Sequence, residues 1–151
     1  MEKIEKVIFY SLDKAIRLYR QYAQKQLKIA GHSITIDQWL VLKKIQEHPE
    51  INQQELGIKV FKDTASVTRI IELLVRSGLL QRDIHHKDRR RRNLTLTRLG
   101  TTTLEEVQPI ILQNRKTALA GISSGDLDHL QETLQRIVSN ITEADHGLQS
   151  L

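Results

Sequence analysis

From Ile4 to about Ala30 apolar residues recur at Ile4, Val7, Ile8, Leu12, Ala15, Tyr19, Tyr22 and Leu27, a spacing that predicts one long helix. Ile16, Leu18 and Ala23 widen the stripe beyond one face, so a second surface of this helix is expected to pack against something. The "AGHS" that follows ends it. Two helix starts come next. In "ITIDQW", Thr35 and Gln38 have capping-box spacing, with Ile34 and Trp39 as the hydrophobic staple. In "INQQEL", Asn52 and Glu55 repeat the pattern, with Ile51 and Leu56 as the staple. The helix from Thr35 must stop before Pro49, which cannot continue it and biases His48 toward extended geometry. The next helix is short, over about 53–60. A third start lies at Asp63, where Val67, Ile70, Ile71 and Leu74 form the buried stripe. Thr64, Ser66, Thr68, Arg69 and Glu72 lie off that stripe, and Gly78 suits a left-handed residue ending the helix. Two helices across a very short turn, with small polar residues on the open face of the second, make a helix-turn-helix pattern. Leu73 is an odd choice for that face; packing beneath the hairpin that follows would explain it.

Two strands are expected over 79–84 and 93–97, the second with Leu94 and Leu96 inward and Thr95 outward. Thr97 then caps a helix running to about Ala120, which Pro109 should kink or interrupt. Ser123 opens a last helix, with Leu127, Leu130, Leu134, Ile137 and Ile141 at helical spacing. There is no internal repeat, flexible linker or low-complexity tract, so residues 1–151 read as a single domain, mainly α with a small β-hairpin. A chain of this length buries about 70% of its unfolded surface.

Composition removes several function classes. The sequence has no cysteine, which excludes disulfides, thiolate zinc sites and thiol-based redox sensing. Its six histidines form no metal pattern; Asp126 with His129 is one turn of helix and too few ligands for zinc. No metal or cofactor is expected. There is no phosphate-binding glycine loop, nucleophile motif or paired-carboxylate arrangement, so no catalytic residue is expected either. The start "MEKIEKVIFY" is wrong for a signal peptide, and no apolar run approaches the roughly 20 residues of a membrane span, which makes a cytoplasmic protein without membrane contact the expectation.

Charge adds a direction. Net charge is +5, and ten of the 23 lysines and arginines lie between Lys62 and Arg98 against four of the 18 acids. That segment holds all the excess, the footprint of a polyanion-binding surface rather than of general solubility. Aromatic residues are 4% of the chain, too few for an RNA-stacking platform.

"DRRRRNLTLT" (88–97), followed by Gly100, resembles the wing of the MarR family of bacterial transcription regulators: Asp, basic residues, alternating apolar positions ending in Leu-Thr, then "LTxxG". The stretch 51–82 is similar to that family's helix-turn-helix, including Val-Thr-Arg at Val67–Arg69 and Gly-Leu at Gly78–Leu79. The resemblance extends over nearly the whole chain. It implies a winged helix-turn-helix lobe at about 35–100 and a helical dimerisation region at about 1–34 and 101–151. It further implies a homodimer on a pseudo-palindromic double-stranded operator, with half-sites about one turn, roughly 10 bp, apart.

The expected DNA-reading residues follow. Thr64, Ser66, Thr68 and Arg69 present the recognition helix to the major groove, and Gln53 and Gln54 are placed for backbone contacts. In the wing, Lys87, Arg89, Arg90, Arg91 and Arg92 supply charge, with Arg90 at the position that enters a narrow minor groove. Arg91 and Arg92 exceed the family pattern and read either as phosphate contacts or as solvated charge. A carboxylate facing phosphate would be repelled, so Asp88 is expected to brace the loop on an arginine of its own chain. A small-molecule effector is implied between the dimer helices and the reading lobe; Tyr19, Tyr22, His32 and Trp39 are candidates to line its pocket or ordinary core residues. Occluding a promoter requires only binding, which favours a repressor. The alternative, a winged-helix protein-interaction scaffold without DNA reading, predicts an acidic or apolar wing, and this one is basic.

Overall fold

A computed structural model describes residues 1–84 and 92–148. The chain divides into two compact units, Met1–Ala118 and Leu119–Leu151.

The first unit opens with a single 3-10 turn at Ile4–Lys6, and helix α1 then runs Ile8–Ile29. The continuous helix expected from Ile4 is broken at Val7, which is extended and has no side chain bonding the first helical amides. Val7 N donates to the Ile4 carbonyl, closing the 3-10 turn before the chain extends. Helix α2 (Ile36–Glu47) starts as the spacing requires: the Thr35 hydroxyl accepts from Gln38 N, and Gln38 Oε1 accepts from Thr35 N. It ends at His48, one residue before Pro49. Helix α3 (Gln53–Lys59) is capped by Asn52 and α4 (Thr64–Arg76) by Asp63.

The hairpin is β1 (Leu80–Ile84) against β2 (Arg92–Leu96), antiparallel, in register from Leu80 opposite Leu96 to Ile84 opposite Arg92. Leu94 is buried and Thr95 exposed, as a period of two demands. Helix α5 (Arg98–Ala118) continues through Pro109 without interruption. One core joins these elements: Leu27 from α1, Val41, Leu42 and Ile45 from α2, Leu56 from α3, Val67, Ile71 and Leu74 from α4, Leu80 and Leu94 from the hairpin, and Leu104, Val107 and Ile111 from α5.

The start of α5 explains the "LTxxG" motif. Thr97 Oγ1 donates to the Gly78 carbonyl at 2.6 Å and accepts from Gly100 N at 3.0 Å, so one hydroxyl ties the end of α4 to the first turn of α5. A Cβ at Gly100 would lie 2.2 Å from the Leu79 carbonyl oxygen. Only glycine lets the backbones approach so closely.

In the second unit α6 (Ser124–Ala144) begins with the Ser123 hydroxyl accepting from Asp126 N. None of its residues is buried; Leu127, Leu134 and Ile137 are half-buried, and Leu130 and Ile141 are exposed.

Candidate nucleic-acid interface

Helix α4, the expected recognition helix, is assembled from its first turn outward. The Asp63 carboxylate accepts from Ser66 N at 2.8 Å and from Ser66 Oγ at 3.1 Å. The Ser66 amide, then its hydroxyl, hold the Asp63 carboxyl below its ordinary range. Ser66 is thereby turned back on its own cap, with its hydroxyl hydrogen committed. One turn on, Thr68 Oγ1 donates to the Thr64 carbonyl at 2.8 Å and accepts from Gln53 Nε2 at 2.6 Å. Gln53 is half-buried and braces α4 from α3 through one of its two amide hydrogens, a bond its sequence position did not announce. Gln54, Thr64 and Arg69 are exposed, and Arg69 has no ion pair among the described residues.

The turn between α3 and α4 holds two features absent from the sequence reading. Phe61 sits at φ 61, the left-handed region that normally falls to glycine, and two thirds of its surface is exposed. Phe61 N donates to the Ile58 carbonyl and Lys62 N to the Gly57 carbonyl. These are the two bonds of a Schellman end, with a phenylalanine in the glycine position. Lys62 Nζ lies 3.3 Å from Asp37 Oδ2, and Arg20 of α1 bonds the other oxygen of the same carboxylate. Lys62, counted in the basic segment, is therefore engaged by a carboxylate it shares with Arg20, and the three groups together keep one positive charge. The pair of contacts ties α1, the head of α2 and the turn before α4 to one carboxyl group. Neither feature had a local signal: Phe61 carries none of the Gly or Asn character of left-handed positions, and Arg20 is 17 residues from Asp37.

The wing candidates Lys87, Asp88, Arg89, Arg90 and Arg91 lie outside the described residues, as does the side chain of Arg92. The described strands lead to them directly from the buried Leu80 and Leu94. Leu73 remains 39% exposed, so no packing beneath the hairpin covers it among the described residues.

Two of the four pocket candidates share a cavity. Tyr19 and Tyr22 line an open cavity of about 260 Å³ with Ala15, Leu18, Thr117 and Ala118. Trp39 instead packs against the core, because α2 turns it onto the same face as Leu42 and Ile45, and His32 is half-buried after the end of α1. Trp39 Nε1 and Asn114 Nδ2 are buried without a hydrogen-bond partner among the described residues. Among those residues no three His, Asp or Glu side chains are placed to hold a metal ion, and no helix is long and apolar enough to cross a membrane.

Residues 34–91 match the model of the MarR family. The HTH-type transcriptional regulator SarZ of Staphylococcus haemolyticus is 26% identical over 137 residues, covering 89% of this chain and 86% of SarZ. Bordetella bronchiseptica BpsR, whose DNA binding is regulated by 6-hydroxynicotinic acid, superposes with a TM-score of 0.81 at 20% identity, over 91% of this chain and 96% of that one. The MepR chain of the S. aureus MepR–DNA complex superposes with a TM-score of 0.80 at 20% identity, over 92% and 99%. The two superpositions establish a common winged-helix fold.

Proposed function

We propose that this chain is a MarR-type transcriptional regulator, a homodimeric repressor that reads a pseudo-palindromic DNA operator and is tuned by a small-molecule effector. The observation that carries this reading is the exposed face of α4, where Thr64 and Arg69 stand open beside strands leading into a run of four arginines. In this reading Arg69 and the wing meet phosphate and groove, with Arg90 in the minor groove and Asp88 bracing the loop. The dimer is supported by apolar residues left uncovered on α1 and α6, among them Ile8, Phe9, Ile16, Leu130 and Ile141. The open cavity lined by Tyr19 and Tyr22, about 260 Å³, lies just below the roughly 300–1,000 Å³ of ligand pockets and is the place on this chain for a small effector.

Selection of random duplex DNA by the purified protein tests the reading. Enrichment of half-sites about one helical turn apart is expected. On that operator Arg90→Ala should weaken binding about tenfold or more, while Arg115→Ala, outside the basic segment, should not. Folded protein that enriches no sequence would favour the scaffold alternative.

A further inference from the structure

A threonine offers a ligand two different surfaces, a hydroxyl and a methyl group, and the contacts around Thr68 decide which is available. Its hydroxyl has one hydrogen and two lone pairs. The hydrogen goes to the Thr64 carbonyl and one lone pair receives the Gln53 amide. Phosphate oxygens only accept hydrogen bonds, so a hydroxyl held this way has nothing to give them. What Thr68 retains for a partner is its γ-methyl and a single lone pair. It is half-buried on the flank of α4, bordering the buried stripe at Ile71 and one turn from the exposed Thr64 and Glu72 on either side.

In the major groove one base presents a methyl group, thymine at C5. Resting on the DNA-reading function above, we infer that Thr68 is a specificity-determining residue that contacts a thymine methyl through its own γ-methyl. Gln53 and Thr64 act as positioning groups that fix its rotamer. Gln53, a phosphate candidate by sequence, thus has a part in base reading through Thr68.

The test uses the full-length protein and the operator recovered by selection, with each thymine of a half-site replaced in turn by uracil, which lacks only the methyl. At one position the wild-type protein should bind about fourfold more weakly per half-site, the worth of one buried methyl group. T68V keeps the methyl and removes the hydroxyl, and should keep that discrimination. T68S keeps the hydroxyl and removes the methyl, and should bind thymine and uracil alike at that position. Equal binding of every uracil duplex by the wild-type protein overturns the inference while leaving DNA reading intact. Discrimination that survives in T68S also overturns it, since the methyl then belongs to another residue's contact. Failure of the protein to bind any duplex removes the functional reading itself, and the inference with it.

Discussion

Helices α4 and α6 begin alike and end differently. Each has a side-chain oxygen accepting the third amide of the helix, from Asp63 in one and Ser123 in the other. Yet α4 buries Val67, Ile71 and Leu74, while α6 buries nothing although it is 21 residues long. A cap fixes where a helix starts, whereas packing decides whether the helix is finished. By that standard the reading lobe is complete within one chain. The second unit keeps an apolar stripe in which no residue is buried.

The largest effect should come from the joint that completes the lobe. Gly100→Ala places a carbon 2.2 Å from a backbone oxygen that cannot swing aside. Helix α5 must then shift off the end of α4, pulling Thr97 from the Gly78 carbonyl. A loss of about 3 kcal/mol is expected, as for severe overpacking, read from the midpoint of chemical denaturation. A midpoint unchanged from the parent would mean the two backbones are not held together as described.

A second experiment addresses the unfinished helix. Leu130→Glu with Ile141→Glu charges two exposed positions of α6 and removes no buried contact. The double variant should retain its helix content but sediment as a monomer. Operator affinity should fall about 100-fold, the low end of what linking two reading lobes contributes. If it remains a dimer with full affinity, the stripe is not the interface, and the contrast between α4 and α6 loses its meaning.

The same contrast marks what could be read from the chain before its structure. Thr35 with Gln38, Asn52, Asp63 and Ser123 all cap the helices their spacing announced, because capping is settled within four residues. Gly78 ends α4 in the left-handed conformation for the same local reason. What escaped was set by distance or by tertiary override. The Gln53–Thr68 bond spans 15 residues, and Asp37 gathers one cation from α1 and another from the turn before α4. Phe61 takes a backbone conformation that its own side chain disfavours, held by the two Schellman bonds of α3. The polar face of α4 was itself visible in the sequence. The hydrogen-bonding state of its residues, which decides whether Ser66 and Thr68 can serve a phosphate, was not.

The smallest predicted effect separates the two caps by chemistry. Ser66 lowers the Asp63 pKa through its amide first and its hydroxyl second. A carboxyl whose folded pKa lies below its unfolded value adds stability above the unfolded value, and loses it as pH falls through the folded one. Asp63→Asn keeps an oxygen acceptor at the cap but cannot titrate. The melting temperatures of parent and variant should therefore differ by a few degrees at most near neutrality, with the difference changing in the parent's disfavour below about pH 4, where carboxyls protonate. Thermal unfolding at a series of pH values reads this directly. Ser123→Ala serves as the control, since a hydroxyl cap has no titrating group and its penalty should not vary across the same range. A constant difference between Asp63→Asn and the parent from neutral to acid pH would show that the charge on Asp63 contributes nothing to the head of α4, and that both helices are capped by the oxygen alone.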